Sequence, residues 1–410
     1  MTSASCRFCG AALDVVFADL GMSPLANSYV PPERANAMEP FYPLRALVCR
    51  ECFLVQLEEF ESAEAIFSDY AYFSSYSSTW LEHSRRYVEQ MVDRFGLDGA
   101  SHVVELASND GYLLQYFVER GIDVLGIEPA ANVAEVAVAK GVPTLVEFFG
   151  VQTARPLAEE RRADLLLGNN VLAHVPDLND FVAGMKVLLA EDGVVTMEFP
   201  HLLRLIEENQ YDTIYHEHFS YFSFLTVRQV FEAHGMRLFD VEELDTHGGS
   251  LRIYGRHAED DSKPETERAR ELLERERAAG LDDIETYRSY ARRVEADKRD
   301  TLEFLIGLKR EGRSIVGYGA PAKGNTLLNY CGIGTDFLDY TVDLNPHKQG
   351  HLLPGSHIPI RAVETLRETR PDVVLILPWN LRDEIVEQHA YIREWGGRFA
   401  ARAPELRLLP

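Results

Sequence analysis

Two imidazoles, two carboxylates and three phenols fall within eleven residues of this chain, Tyr211-Asp-Thr-Ile-Tyr215-His216-Glu217-His218-Phe-Ser-Tyr221. A histidine near its ordinary pKa can take a proton at neutral pH, and a neighbouring carboxylate fixes its tautomer. If the segment is extended, Tyr215 and Glu217 face one way and His216 and His218 the other; if it turns, all can converge. A metal site through His216 and His218 lacks a third ligand in the sequence. A purely structural cluster would be expensive without partners for so many polar groups. General acid–base chemistry is the preferred reading.

Four cysteines form a second constellation, Cys6 and Cys9, then Cys49 and Cys52, while Cys331 stands alone. Each Cys-x-x-Cys turn points two thiolates at one ion, so the doubled motif predicts a tetrahedral zinc site. All four positions are filled by thiolates, which leaves no place for water and makes the zinc structural. Cys331 reads as a small core residue.

The elements that must position these groups follow the rhythm of an α/β protein. Val103-Val-Glu-Leu-Ala-Ser-Asn-Asp-Gly111 and the apolar run behind it read as a buried strand, a tight loop and a first helical turn. Small residues there let the backbone approach a ligand with its N–H groups free. A second strand, Val124 to Ile127, ends in Glu128, placed to accept hydrogen bonds from both hydroxyls of a ribose. Further strands are expected at 165–168, 194–197, 238–242 and 251–254, with helices over 130–140 and 179–189 between several of them. This alternation predicts a doubly wound sheet with ligands at the strands' carboxyl ends. Adjacent Asn169 and Asn170 at such an end need partners for their amides, which an adenine edge or an amino-acid carboxylate would supply. The loop is not GxGxxG, so a dinucleotide site fits it poorly.

Around these blocks the chain changes character. Before them, Pro31, Pro32, Pro40 and Pro43 are expected to prevent long regular elements, and Asp69 to Ser78 is an aromatic, hydroxyl-rich stretch suited to a polar pocket or lid. A helix follows from Thr79 to Phe95, and a capping box at Thr226 and Gln229 opens the helix after the histidine cluster. Residues 261–300 are densely charged and read as a solvated helical connector. Then Ser314 to Thr326, Tyr340 to Asp343 and Asp372 to Asn380 restart the α/β rhythm with a glycine-rich turn bearing Lys323, a faint internal echo of the first block.

Composition narrows the partners. Forty-one basic against 65 acidic residues leave a formal charge of -24, which argues against nucleic acid and anionic membranes. No apolar run reaches the length of a membrane span and the first residues carry no secretory pattern, so a cytoplasmic protein, a monomer, is expected.

One family combines all of these motifs. The two Cys-x-x-Cys pairs, Pro24-Leu-Ala-Asn27, Tyr72-Phe-Ser-Ser-Tyr-Ser77, Glu105-Leu-Ala-Ser-Asn-Asp-Gly111, Asn169-Asn-Val-Leu-Ala-His174, Tyr215-His-Glu-His218 and Gly317-Tyr-Gly-Ala-Pro-Ala-Lys-Gly-Asn325 occur in that order. Together they closely resemble the nucleotide-deoxysugar C-methyltransferases of antibiotic pathways, over nearly the whole chain. The 105–111 loop alone is similar to the Asp/Glu-x-x-x-x-x-Gly loop of class I S-adenosylmethionine methyltransferases. The resemblance implies a zinc-binding domain (1–65), a Rossmann-like S-adenosylmethionine domain (66–260), the connector (261–300) and a Rossmann-like C-terminal domain (301–410). It implies methylation of a dTDP-linked 4-keto deoxysugar at C-3 through an enolate, with His218 as the base. Glu217, Tyr215, His174 and Tyr76 would orient substrate or stabilise the oxyanion. Glu105, Ala107, Asn109, Gly111, Glu128, Pro129, Asn169 and Asn170 would hold the cofactor, with Phe148 stacking on adenine. Tyr72, Ser74, Tyr76, Tyr215 and Tyr221 would line the sugar site, and Lys323, Asn325 and Thr326 would receive the diphosphate.

Two other readings compete. The glycine-rich turn at 317–324 could bind a nicotinamide cofactor, with Asp343 on its ribose, making the protein an NADPH-dependent ketoreductase or a bifunctional enzyme. A zinc-ribbon adaptor with degenerate α/β domains would be non-enzymatic, and the acidic charge argues against such work on nucleic acid.

Overall fold

The computed structural model of the chain describes residues 4–62, 74–76, 78–402 and 405–409. Three sheets organise them. The first is antiparallel and takes β1 (Val15–Ser23), β2 (Tyr42–Val48) and β3 (Val55–Leu57) from beside the cysteine turns. The prolines do not prevent these strands. They fall mainly in the 24–41 connection, and Pro43 enters only at the start of β2, opposite Met22.

The central sheet contains β4 (His102–Leu106), β5 (Asp123–Ile127), β6 (Thr144–Leu145), β7 (Ala163–Asn169) and β8 (Leu189–Pro200). The two-residue β9 (Ser220–Tyr221) instead extends the first sheet by pairing with β3, and β10 (Met236–Leu244) and β11 (Ser250–His257) return to the central one. Its order is β10-β11-β8-β7-β4-β5-β6, parallel except where β11 runs against both neighbours. Both faces of β4 are buried, which explains why the adjacent Val103 and Val104, pointing to opposite faces, are both apolar. The order reverses between β4 and β7, so ligands are expected above their carboxyl ends. Those ends carry Glu105 and Asn169.

The third sheet holds β12 (Ile315–Tyr318), β13 (Thr341–Val342), β14 (Ile360–Arg361), β15 (Val373–Ile376), β16 (Arg398–Arg402) and β17 (Leu406–Leu408). Its order is β14-β13-β12-β15-β16-β17, with only β17 antiparallel. The internal echo in the sequence is thus topological: in each α/β block the first strand of the block lies between later ones. The expected α/β class, with a small cysteine-bearing module and two Rossmann-like sheets, is the fold observed.

Helix α1 (Ser78–Phe95) precedes the central sheet, and α2 (Ile284–Arg310) and α3 (Ala322–Cys331) belong to the C-terminal half. Two expectations need correction. The helix after the histidine cluster spans Phe224–Ala233, and its N-cap is Ser223, whose Oγ accepts from the Thr226 N–H at 3.1 Å; Thr226 and Gln229 lie inside it. The charged 261–300 stretch is not solvated all round. Tyr287 and Tyr290 of α2 are fully buried against Phe17 of β1, with Tyr290 stacked at 4.5 Å, because Tyr287, Tyr290, Val294, Leu305 and Leu308 fall on one face of that helix. Glu276, just before it, is buried too and accepts from the N–H groups of Phe224 and Leu225. One apolar cluster therefore runs from Phe17 through Tyr290 to Leu327 and Leu375, joining the first and third sheets, and Cys331 lies in it.

Arg402 of β16 pins this junction. Its buried guanidinium meets Asp212 at 3.5 Å and Asp297 at 3.3 Å, donates to the Asn209 carbonyl and covers the Tyr211 ring. Removing one member of such a group leaves the others charged and unpaired. Arg402→Ala is expected to destabilise the protein by about 3–5 kcal/mol, read as a lower urea midpoint; an unchanged midpoint would show the cluster to be structurally idle.

Candidate active site

The carboxyl ends of β4, β5 and β7 form the first part of the site. After β4 the chain takes positive φ at Ala107, Asn109 and Gly111 within five residues. Only glycine fits the last of these, since a Cβ there would sit 3.0 Å from Val142 and 3.2 Å from Ala137. The carboxyl of Glu105 is wholly buried, and burial pushes its pKa well above the usual range; Tyr112 eases this, while Glu128 and Asp110 add to it. A cationic ligand group would restore its charge. Glu128 accepts from the backbone N–H groups of Asn109 and Ala130, each at 2.9 Å, so it shapes the loop while keeping a second lone pair on each oxygen. Burial raises its pKa as well. Both polar atoms of the Asn169 amide are buried without a partner among the described residues. Unpartnered groups of this kind are costly unless a ligand satisfies them. An ammonium, a ribose and a carboxylate would satisfy this set, so the residues present fit S-adenosylmethionine. Pro129 lies between Glu128 and the Ala130 N–H, and Phe148 is a largely exposed ring.

The Tyr211–Tyr221 segment turns, and its groups neither alternate as in a strand nor all converge. The His218 N–H donates to the Tyr215 carbonyl at 2.9 Å, which brings the Tyr215 hydroxyl to 2.8 Å from His218 Nε2. His216 points away, its ring at 3.2 Å from the Pro43 carbonyl, so it does not join His218 in a metal site. Glu217 projects toward the first sheet, where its Oε1 accepts from Asn27 Nδ2 at 2.8 Å. His174, on the turn after β7, packs edge-on to His218 with ring centroids 4.7 Å apart, and Tyr221 lies 6.0 Å from His218.

Electrostatics at this cluster have a single direction. Burial, and then the neighbouring His174, hold His218 well below the usual imidazole pKa, against a backbone hydrogen bond at Thr213. Burial likewise lowers His174 to about 4. Both rings are neutral at pH 7. A carbonyl accepts only, so the ring nitrogen facing Thr213 carries the proton, and Nε2 holds the lone pair to which Tyr215 donates. Burial raises the Glu217 carboxyl to about 7, against the Asn27 hydrogen bond.

The C-terminal half closes the cleft. Lys323, in the first turn of α3, donates to Asn380 Oδ1 at 2.8 Å and lies over the Trp379 ring; burial lowers its pKa to about 8. It is near enough to depress both His218 and His247. Asn325 is buried with both amide atoms unpartnered among the described residues, whereas the Thr326 hydroxyl is committed to the Ile214 carbonyl at 3.0 Å. Thr326 therefore ties α3 to the histidine loop and has no proton left for a phosphate. The turn after β12 is packed for its own sake: a Cβ at Gly319 would meet Pro378 at 2.6 Å, and Asp343 accepts from the N–H groups of Ala320 and Asn345.

Tyr72 lies outside the described residues. Ser74 and Tyr76 lie on a short turn, and the Ser74 N–H donates to Asn109 Oδ1 at 2.9 Å, which carries this segment to the β4 loop. Several groups in the same cleft have no local signal in the sequence. His83 of α1 is 2.9 Å from Glu198 Oε2 at the end of β8, and Arg252 binds the other oxygen of Glu198 at 2.7 Å. Trp80 stacks on His83 and meets His247 edge-on. His247 has φ +56 and accepts from Asn170 Nδ2 at 3.2 Å. The pair Gly248-Gly249 directly behind it, a mark of a tight turn, was the one hint in the sequence.

The cysteines meet as expected. Sγ atoms of Cys6 and Cys52 are 3.6 Å apart, those of Cys9 and Cys49 3.5 Å, and all four lie within 4.8 Å of one another. Thiolates bound tetrahedrally at about 2.3 Å from zinc lie roughly 3.8 Å apart, so the set fits that ion. Among the described residues no other His, Cys or carboxylate group forms a metal-sized cluster.

Family models match the chain in sequence: a zinc binding domain over residues 6–67, a methyltransferase domain over 80–241 and a C-methyltransferase C-terminal domain over 245–404. The C-methyltransferase NovU of Streptomyces niveus is 38% identical over 407 residues, which is 98% of this chain and 96% of that protein. Among solved structures, magnesium protoporphyrin IX methyltransferase of Synechocystis with bound SAM aligns to 43% of this chain and 78% of its own at 13% identity, with a TM-score of 0.33. The CcbJ methyltransferase of Streptomyces caelestis covers 43% and 89% at 13% identity, also with a TM-score of 0.33. Likenesses that slight say nothing about substrate.

The zinc site is closed, so its loss should act through folding. Elemental analysis of the purified protein is expected to find one zinc per chain. Cys52→Ser should lose it together with thermal stability, because zinc holds the turn whose Cys52 carbonyl anchors Thr226 of the Phe224–Ala233 helix. Full zinc content in that variant would exclude Cys52 as a ligand.

Proposed function

The chain belongs to the C-methyltransferase family, and from this premise we propose that it methylates C-3 of a dTDP-linked 4-keto deoxysugar through a base-generated enolate, using S-adenosylmethionine, as a cytoplasmic monomer. In this reading residues 1–65 are the zinc module, 66–260 the cofactor-binding unit, 261–300 the connector and 301–410 the unit that helps hold the nucleotide sugar. The observation that carries it is the buried Tyr215–His218 pair, a neutral imidazole whose free lone pair already receives a phenol.

Carbon bound to hydrogen is a poor nucleophile, so the proton beside the ketone must leave first. His218 Nε2 takes it. An imidazole held this far below its usual pKa is a weak base, so the developing negative charge must be met at the ketone oxygen. Tyr215 can turn its O–H from Nε2 to that oxygen as the substrate arrives, and Tyr76 would be a further donor; neutral His174, whose one N–H goes to the Glu217 carbonyl, orients this loop toward the substrate. Glu217, titrating near neutrality, offsets the positive charge that appears on His218. Bound at Glu105, Ala107, Asn109, Gly111, Glu128, Pro129, Asn169 and Asn170, with Phe148 over the adenine, S-adenosylmethionine would supply an electrophilic sulfonium methyl group to the enolate carbon. Tyr72, Ser74 and Tyr221 would line the sugar site. Lys323 and Asn325 receive the diphosphate, with Thr326 holding their helix in place. No helix among the described residues is long and apolar enough to cross a membrane.

Incubation with S-adenosylmethionine and a panel of dTDP-4-keto sugars should give a product heavier by one methylene, detected by mass spectrometry. His218→Asn should bind the cofactor normally by calorimetry yet lose methyl transfer and exchange of the α-proton with deuterium oxide by at least a hundredfold, as for removal of a positioned base. Wild-type turnover in that variant would refute the assignment.

A further inference from the structure

Pro24-Leu-Ala-Asn27 is the one sequence motif that neither zinc binding nor the reaction has absorbed. It follows directly on β1. Asn27 Nδ2 donates to Glu217 Oε1 at 2.8 Å across 190 residues of chain, and no other described residue hydrogen-bonds that carboxyl. Tyr29, two residues on, gives its hydroxyl proton to the Ala320 carbonyl at 2.6 Å and lies 3.3 Å from Asn27 Oδ1. The same short segment therefore touches the acid–base loop and the glycine-rich turn of the third sheet.

We propose that Asn27, carried by the cysteine module, is a positioning residue for the reaction: its amide claims Oε1 of Glu217 and leaves Oε2 as the oxygen that takes up and releases the proton. This rests on the catalytic reading of the Tyr215–His218 loop. An amide N–H donates only, so an oxygen receiving it cannot also carry the acidic proton toward that amide. A hydroxyl oxygen is a poorer acceptor than a carbonyl oxygen, so when Glu217 is protonated the Asn27 amide favours the proton on Oε2. When it is ionised, the Asn27 dipole stabilises the charge. A buried carboxyl with no such donor would be free to rotate and would stay protonated to higher pH. The other titratable groups around Glu217 are His174, which bonds its backbone carbonyl, His216 and His218 beside it in the chain, and Tyr29 with Lys348 and Asp343 behind. Asn27 is itself exposed on its outer side, so its replacement removes the hydrogen bond without opening the core.

The sign follows from the geometry. Asn27 favours the ionised form, so losing it moves the Glu217 titration upward from about 7, by roughly one pH unit for a hydrogen bond to a charged group. Infrared difference titration of the full-length protein without substrate reads this directly. The expected result is a carboxyl band lost over the neutral range, missing in Glu217→Gln, and displaced about one pH unit upward in Asn27→Leu. Asn27→Ser, whose hydroxyl is too short to reach, should behave like Asn27→Leu, with zinc content and circular dichroism confirming the fold of each. A Glu217-dependent band at the same pH in wild type and both variants, or no such band in the neutral range, overturns the proposal. Because this readout uses no sugar, a wrong substrate would not affect it, whereas turnover in His218→Asn would remove the reaction it serves.

Discussion

Every residue from Tyr211 to Glu217 that matters to the site is held from somewhere else in the chain. The segment has no long regular element, yet its backbone and side chains are largely buried, and a buried irregular stretch survives only if its polar groups find partners. Tyr211 gives its hydroxyl to Asp297 of α2, Asp212 receives the Trp379 indole, the Ile214 carbonyl receives Thr326 of α3, and His216 meets Pro43 of β2. Beyond Glu217, β9 pairs with β3. The loop is thus a keystone between three sheets, and no single sheet could fix His218 alone.

Energetically this explains why a protein with a formal charge of -24 keeps a cationic corner. Neutral imidazoles at His174, His218 and His247 cost little to bury, while Lys323, a buried ammonium near them, supplies positive charge. Carboxylates nearby are paired or partly protonated: Glu198 is kept ionised by Arg252 and His83 despite its burial, and Glu105 is pushed toward its neutral form. The site is prepared for charge that arrives with ligands, in a low-dielectric setting where each added charge weighs heavily.

Much of this was legible in the chain itself. The doubled Cys-x-x-Cys, the β4 loop with Glu105 and Gly111, Glu128 one strand later, and the Tyr215–His218 cluster are local patterns, and local patterns survive in a sequence. The β-branched pair Val103-Val104 announced a strand buried on both faces. What could not be read were pairings fixed by topology: His83 with Glu198 across 115 residues, Asn27 with Glu217 across 190, and the Arg402 cluster joining β16 to the histidine loop. The charged connector misled because Arg and Glu dominate its composition, while the buried Tyr287 and Tyr290 occupy one narrow stripe of α2. The Thr226-Gln229 pair imitated a cap whose true residue, Ser223, lies one step before the helix. Spacing suggests who can be neighbours along an element; only the sheet order decides who meets across the cleft.

Proton transfer to His218 turns on one distance, which a structure of the protein with S-adenosylhomocysteine and a dTDP-4-keto sugar would measure. The carbon beside the ketone should lie about 3–3.5 Å from His218 Nε2, with the Tyr215 hydroxyl turned to the ketone oxygen. A ring separated from that carbon by a water molecule, or Tyr215 still bonded to Nε2 with the sugar in place, would contradict the account.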